Sequence, residues 1–214
     1  MGETRETVTQ IGENTQQIVR SRTCGCKDLY IAKVTKNDAN TYTTEKPIKL
    51  ARAIKVKVNE KKTSEKIYSD DGTEEVITSY EGTEVELEIN ALAPQDRANI
   101  FGQLYENGYL VKNANDQAPE VALGWRERKL NGKYDFKWLY VGKFAEGISE
   151  EAQTKEGKLS PTTKSIKGSF YERAKDDNYE TSVDESNLLA EHTDAAAAIK
   201  AWFDEVQEPK TVRA

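Results

Sequence analysis

The chain has 214 residues, a net charge of −6 and an isoelectric point near 5.1, and it is long enough to bury a core without metals or disulfides. Its acidic balance disfavours nonspecific binding to nucleic acid or to an anionic membrane. No apolar run approaches the roughly 20 residues of a membrane span and the first residues lack the apolar stretch of a signal peptide, so we expect a cytosolic protein that does not enter a membrane.

The acidic side chains are unevenly placed along the chain. Residues 1–145 carry equal numbers of basic and acidic side chains, so the whole excess lies in residues 146–214. We therefore expect this tail to be solvated and acidic, with residues 173–214 forming an acidic C-terminal segment.

Residues 1–26 are predicted to form an N-terminal arm, because they are rich in Thr, Gln and Glu and too poor in apolar residues to order alone. The arm ends with the only cysteines, Cys24 and Cys26. A spacing of one residue is poor for a disulfide. Even with the sole histidine, His192, the pair is one ligand short of a tetrahedral zinc site. The sequence therefore favours two reduced thiols.

A mainly β domain is predicted over residues 27–172. It begins with a strand at KDLYIAKVT and continues with two strands, 47–58 and 82–90, in which apolar and charged residues alternate. The apolar sets are Ile48, Leu50, Ile54, Val56 and Val58 in the first strand, and Val85, Leu87 and Ile89 in the second. The charged sets are Lys49, Lys55 and Lys57 in the first and, as what we call the glutamate row, Glu84, Glu86 and Glu88 in the second. Opposite charges in register stabilise neighbouring strands, so we expect these two to be adjacent in one sheet.

The glutamate row has a second interpretation. Three carboxylates on one strand face could bind a metal ion, but pairing with the lysines of a neighbouring strand explains them more simply.

Residues 59–81 hold two short strand-like pieces around Asp70-Asp71-Gly72, which is a hairpin signal on a polar stretch. They are predicted to form an extended contact loop that projects from the sheet. Pro94 is placed as the first residue of a short helix, about residues 94–105, which would bury Ile100, Phe101 and Leu104.

Residues 118–145 are predicted to form a long β-hairpin around Asn131-Gly132, a dipeptide suited to a type I′ turn. With Leu130 opposite Lys133, this turn pairs Trp125 with Trp138, Leu123 with Tyr140, Val121 with Gly142 and Arg128 with Asp135. The register puts the candidate core residues on one face, together with Val121 and Phe144. Those candidate core residues are Leu123, Trp125, Trp138 and Tyr140. The same aromatics could instead be a platform for single-stranded nucleic acid, with Arg126, Arg128, Lys129 and Lys133 as its basic part. Their apolar neighbours favour a core.

One more strand is predicted at residues 162–172, and residues 174–192 are expected to be irregular. The last element is a helix over about residues 194–207, capped by Thr193 or Asp194 and ended before Pro209. Its apolar stripe needs a surface to dock on. The stripe is Ile199, Trp202, Phe203 and Val206.

No motif for phosphate, dinucleotide, zinc-protease or acyl-transfer chemistry occurs in the sequence. His192 is the only candidate for an ordinary general base near neutral pH, and no nucleophile lies near it in the sequence. We therefore expect no enzymatic activity, no bound metal and no cofactor.

The order of several segments resembles that of a known family. LYIAKVT, YSDDG, DQAPEVALG, NGKYDFKWLYVGKF and TKSIKGSF follow one another between residues 27 and 172. This part of the chain is similar to the major tail proteins, or tail tube proteins, of long-tailed bacteriophages of Gram-positive hosts, the group often called phi13-type.

The resemblance implies a β-sandwich or barrel with one short flanking helix and a C-terminal helix, as in phage tail tubes. It implies hexameric rings that stack into a tube conducting DNA from the capsid to the host, with assembly in the host cytoplasm and residence in the virion tail. Its partners would be other copies of itself, the tape measure and tail terminator proteins, and DNA that passes without specific binding.

Such a lumen should be neutral or acidic, because phosphates bind basic surfaces by releasing counterions. The glutamate row is therefore the candidate lumen surface. The alternative is a monomeric or dimeric β-sandwich adaptor that binds carbohydrate or protein, which would need an exposed aromatic platform.

Overall fold

Antiparallel strands make up most of the protein in the computed structural model, which describes residues 18–50, 52–69, 72–150 and 163–209. The strands are β1 (Thr23–Asn37), β2 (Tyr42–Thr44), β3 (Ile48–Lys49), β4 (Ala53–Ser69), β5 (Gly72–Ile89), β6 (Leu104–Glu106), β7 (Tyr109–Val111), β8 (Val121–Lys129), β9 (Tyr134–Lys143), β10 (Ile148–Ser149), β11 (Lys164–Tyr171) and β12 (Glu180–Asp184). The helices are α1 (Pro94–Phe101), α2 (Thr193–Ala198) and two short 3₁₀ turns, Glu185–Asn187 and Ile199–Ala201. The predicted mainly β fold is confirmed.

One large sheet holds ten of the strands, in the order β2-β1-β8-β9-β11-β5-β4 with β3, β10 and β12 at its margins. The far strand β4 comes back towards β1, and Cys26 of β1 and Val56 of β4 both pack against the same core. The sheet therefore curls on itself and encloses its inner face.

The first core fills this enclosed face and draws side chains from β1, β5, β8, β9 and β11. Helix α1 closes it with Ile100 and Phe101. The helix begins at Pro94 as predicted, and the Asp96 carboxylate accepts a hydrogen bond from the Ala93 N–H at 3.1 Å. It ends at Gly102, which takes a left-handed φ of 70°. The predicted extension to residue 105 is wrong: Leu104 lies in β6 and is 56% exposed.

The central hairpin forms, but with a shifted register. The Lys129 N–H donates to the Lys133 carbonyl at 2.8 Å, so the loop has three residues, and only Gly132 among them has a positive φ. This is the geometry of a turn followed by a left-handed glycine. Contacts outside the hairpin hold it: the Leu130 N–H donates to the Arg22 carbonyl at 2.9 Å.

The shift overturns most of the predicted pairs. Trp125 lies opposite Lys137, Gly124 opposite Trp138, Leu123 opposite Leu139 and Arg128 opposite Tyr134. The predicted pairs Trp125–Trp138, Leu123–Tyr140 and Arg128–Asp135 are therefore wrong. Val121 does pair with Gly142, because an irregularity before Leu123 adds a residue on β9 and restores the count.

All four candidate core residues are buried, but they do not share a face. Leu123 and Trp125 belong to the first core, whereas Trp138 and Tyr140 belong to a second core on the opposite side of the sheet. A slip of one residue moves a side chain to the other face. The hairpin can tolerate this only because both of its faces are covered.

The C-terminal segment covers the second core. Trp202 and Val206 are buried against the outer face of β9, and the Trp138 indole N–H donates to the Trp202 carbonyl at 3.0 Å. Phe203 stacks on Tyr30 with ring centroids 4.4 Å apart. The predicted stripe thus docks, although α2 ends at Ala198 and a 3₁₀ turn continues it. The expectation of a solvated segment is therefore wrong at Arg173, Trp202 and Val206, which are buried, whereas the other residues of 173–209 are exposed or half-buried.

The remaining boundaries differ locally. Strand β1 begins at Thr23, so both cysteines lie in a strand, not in the predicted arm. Residues 180–184, expected to be irregular, form β12 and pair with β9. The strand predicted at 162–172 is β11, Lys164–Tyr171. Residues 1–17 and Asp70-Asp71 lie outside the described residues.

Candidate assembly surfaces

Strands β4 and β5 form a hairpin that runs well beyond the sheet. Strand β11 pairs with β5 only from Thr83 to Ile89, whereas β4 and β5 pair with each other as far as Ser69 and Gly72. Residues 62–69 and 72–80, which we call the distal ribbon, therefore pair only with each other within the described part of the chain. Their eight pairs span roughly 26 Å at about 3.3 Å per residue. The predicted contact loop is thus a regular two-stranded ribbon.

A β-bulge sets the direction of the ribbon where it leaves the sheet. Lys61 pairs with Gly82 and Lys62 with Tyr80, so Glu81 has no opposite residue. Gly82 has a φ of 130°, which is strained for other residues. Just beyond the bulge, Tyr80 stacks on Tyr179 with ring centroids 4.2 Å apart. The base of the ribbon is therefore fixed, while its far part pairs with no other strand among the described residues.

The glutamate row lies on the outer face of β5, opposite the buried side chains of that strand. Its predicted partners are in place: Lys55 pairs with Glu88 and Lys57 with Glu86. Lys49 instead belongs to β3, which pairs with β1. The single strand predicted at 47–58 is therefore wrong: it is divided between β3 and β4, and Ile48 and Ile54 are exposed.

The lysines around the row outnumber its carboxylates. The hydrogen bond from Lys61 lowers the pKa of Glu84, and Lys55 forms an ion pair with Glu88 at 3.3 Å. Lys167 of β11 lies opposite Glu86. Four lysines, which we call the flanking lysines, thus share the face with three glutamates and leave it close to neutral. They are Lys55, Lys57, Lys61 and Lys167.

The basic residues of the central hairpin are largely paired. Arg126 donates to Asp28 at 2.7 Å and lies 4.4 Å from the Tyr134 ring centre. Burial alone would raise the pKa of Asp28, but hydrogen bonds from Lys49 and Arg126 outweigh it and lower that pKa. Lys129 is 8% exposed and bonds to Asp184, and Lys133 pairs with Glu185 at 3.0 Å. Because Trp125 and Trp138 are buried as well, the hairpin offers no stacking platform.

A small separate hairpin carries an exposed apolar face. Strands β6 and β7 pair only with each other in the described structure. They are joined by Asn107-Gly108, whose φ values of 50° and 83° suit a type I′ turn. Leu104 and Val111 lie opposite each other and are 56% and 51% exposed, and Tyr109 on the same face is 75% exposed. Sequence reasoning missed this surface, although its Asn-Gly dipeptide is the signal for it.

A buried arginine, which sequence reasoning missed, holds the C-terminal segment. The side chain of Arg173 is 2% exposed and lies 4.1 Å from the Tyr140 ring centre. It donates to Asp176 through two nitrogens, at 2.7 and 2.6 Å, and to Glu208 at 2.9 Å. The hydrogen bonds from Arg173 lower the pKa of Asp176 to about 2. A guanidinium bound by two carboxylates ties the end of the segment to the sheet.

The other candidate chemical groups lie apart. Cys24 is exposed and Cys26 half-buried, both are free thiols, and burial raises the pKa of Cys26. His192 is exposed, and its Nδ1 accepts from the Leu189 N–H at 3.2 Å. In the described ranges no three His, Cys, Asp or Glu side chains are grouped to hold a metal ion. The same residues contain no helix long and apolar enough to cross a bilayer.

Comparison with known proteins adds no assignment: no family model matches the sequence, and a search of curated proteins finds no match.

Proposed function

We propose that this protein is a structural virion protein whose hexameric rings stack into a phage tail tube that conducts DNA from the capsid to the host. Two lines of argument support the proposal. One is the resemblance of residues 27–172 to major tail proteins. The other is the arrangement of charged faces and free strand edges described above. Other copies of the chain would be its main partner, with the tape measure and tail terminator proteins contacting the tube along its length and at its end.

The distal ribbon is the observation that carries the proposal. A two-stranded ribbon is only marginally stable by itself in water, and unpaired strand edges tend to recruit other chains. Here about 26 Å of ribbon extends from the sheet, with Ile67, Val76 and Ile77 each 43–52% exposed. A monomer gains nothing from such an element, whereas a ring or stacked tube can cover it.

The glutamate row fits the inner wall of such a tube. DNA slides most easily along a wall that does not bind its phosphates, because a basic wall binds them and releases the counterions of the DNA. The three carboxylates neutralise most of the flanking lysines, and we assign this face to the lumen. Its outward direction from the core and the ion pairs with Lys55 and Lys61 support that assignment.

Assembly of the purified chain tests the proposal. We expect light scattering to show growth with concentration and negative-stain microscopy to show rings or tubes with six copies per ring. A variant in which residues 63–79 are replaced by a two-residue Asn-Gly turn should keep the fold, as judged by circular dichroism, but form no long tubes. A wild-type chain that stays monomeric at high concentration after long incubation contradicts the proposal and favours the adaptor function.

A further inference from the structure

The two faces of the distal ribbon carry opposite charge. In an antiparallel ribbon, residues that lie opposite each other share a face and successive residues alternate. Glu65 lies opposite Ile77 and Ile67 opposite Glu75, whereas Lys66 lies opposite Val76. The acidic face, as we call it, consists of Thr63, Glu65, Ile67, Glu75, Ile77 and Ser79. The basic face consists of Lys62, Ser64, Lys66, Val76, Thr78 and Tyr80.

The bulge adds to this asymmetry. The extra residue Glu81 accepts a hydrogen bond from the Thr63 hydroxyl, so a third carboxylate joins the acidic face. On the basic face, Tyr179 stacks on Tyr80 and covers the end of the face near the sheet. Lys62 at this end pairs with Glu60 at 2.9 Å, and both side chains of the pair remain more than 40% exposed. Each face also presents apolar area: Ile67 and Ile77 are 43% and 46% exposed on one, and Val76 is 52% exposed on the other.

We propose that distal ribbons of neighbouring copies pack face to face, the acidic face of one copy on the basic face of the next. This inference rests on the proposed self-assembly and names the contact that directs it. Glu65 and Glu75 then approach the partner's Lys62 and Lys66, and the two isoleucines cover the partner's Val76.

The charge pattern selects this partner and this polarity. A two-fold contact between identical faces would oppose three glutamates with three glutamates or lysines with lysines, and like charges across an interface cost several kcal/mol. Contact between unlike faces of the same element has no such cost. It is head-to-tail, and therefore repeats from copy to copy.

The area of the ribbon shows how strong this contact can be. A face about 26 Å long and roughly 10 Å wide offers about 260 Å², a third of the roughly 800 Å² that each partner buries in a stable interface. The ribbon contact therefore acts together with other contacts between subunits. It sets their order and makes assembly sensitive to salt, since exposed charges are screened within about 10 Å at 0.1 M salt.

Charge reversal on one face at a time tests the pairing. The variant E65K/E75K has two basic faces, and K62E/K66E has two acidic faces. We expect the concentration needed for assembly to rise roughly tenfold in each. The quadruple variant E65K/E75K/K62E/K66E has exchanged faces, and an equimolar mixture of the two double variants offers unlike faces again. Both should assemble close to the wild-type concentration. E45K/E191K, which changes two exposed glutamates outside the ribbon and has the same net charge as E65K/E75K, is the matched control.

Light scattering and negative-stain microscopy at low and high salt, with circular dichroism to verify folding, separate the outcomes. Folded double variants that form tubes as the wild type does overturn the ribbon pairing and leave the tail-tube proposal standing. The ribbon pairing is also overturned, with the tail-tube proposal left standing, if neither the quadruple variant nor the mixture of double variants assembles near the wild-type concentration. A wild type whose association responds to charge reversal but yields no rings overturns the tube and supports the pairing. A wild type that is monomeric throughout overturns both.

Discussion

Replacing Trp202 tests whether the acidic C-terminal segment is part of the folded domain. The Trp202 side chain is 2% exposed, so nearly all of its roughly 200 Å² is buried. At about 25 cal/mol per Å² this burial is worth about 5 kcal/mol, and Trp→Ala changes in cores cost about 3–5 kcal/mol. The hydrogen bond from Trp138 is retained in Trp202→Ala, because its acceptor is the Trp202 main-chain carbonyl.

The loss in Trp202→Ala is limited by how strongly the segment docks, because the end of a chain can detach without unfolding the sheet. We expect the free energy of unfolding in urea to fall by about 3 kcal/mol. If the segment detaches first, protease should cleave residues 193–209 while the remaining domain stays folded. The emission of Trp138, which lies beneath the segment, should shift to the red. Leu130→Ala, at a side chain 70% exposed, is the control and should change stability by less than about 0.5 kcal/mol. Wild-type stability and wild-type protease resistance in Trp202→Ala would refute the reasoning.

Three further predictions concern the Asp176–Arg173 ion pair, the hairpin register and the glutamate row. The folded-state pKa of Asp176 is about 2 and its ordinary value is 3.8, so the stabilisation is present above pH 4 and lost as the pH falls through 2. With screening at this partly exposed group, Asp176→Asn should cost about 1 kcal/mol at pH 7 and much less at pH 2, as measured by urea titration. A Cβ at Gly124 would lie 2.7 Å from the Trp138 ring, so Gly124→Ala should lower the free energy of unfolding by about 1–3 kcal/mol. In the control Gly25→Ala the added Cβ meets no atom within 4 Å, and stability should hardly change. Equal effects of the two substitutions would contradict the observed register. Changing the three residues of the glutamate row to glutamine leaves the flanking lysines without their acidic partners. Duplex DNA should then bind measurably by fluorescence anisotropy at about 50 mM salt and dissociate at about 200 mM. DNA binding equal to that of the wild type at both salt concentrations would show that the row does not determine contact with DNA.

Strand β5 was predictable because only one of its faces meets the core. Val85, Leu87 and Ile89 are all buried, and each neighbour along the strand is a glutamate. Such a pattern fixes the facing of a strand, since a slip would bury a row of charges. The predicted adjacency of the lysine-bearing strand and the glutamate row then followed from charge, and Lys55 does lie opposite Glu88.

The central hairpin was not predictable to the same degree, because both of its faces are buried. Val121, Leu123 and Trp125 contact the first core, and Trp138 and Tyr140 the second, so hydrophobicity penalises neither register. The turn then decides, and its three-residue form is held by contacts with residues more than 50 positions away in the sequence, such as the Asn131 amide donating to Ser186 at 2.9 Å. The preference of Asn-Gly for a type I′ turn is a property of the dipeptide alone, so it takes no account of contacts with residues that are distant in the sequence. At Asn107-Gly108, where the neighbouring strands are short and exposed, the same dipeptide does adopt the two-residue turn.

The acidic segment and the polar ribbon show what composition can and cannot predict. In the segment, composition did not reveal that Trp202 and Val206 bind the sheet, or that Arg173 and Lys175 pair with Asp176 and Glu208. In the ribbon, the predicted strand-like pieces form regular strands over a longer stretch, because main-chain hydrogen bonds pair them although they have no core to cover. An element of that kind is ordered by pairing but stabilised only weakly by burial. Its charges are then free to be arranged for a partner, which is why their separation onto two faces points to an interface between copies.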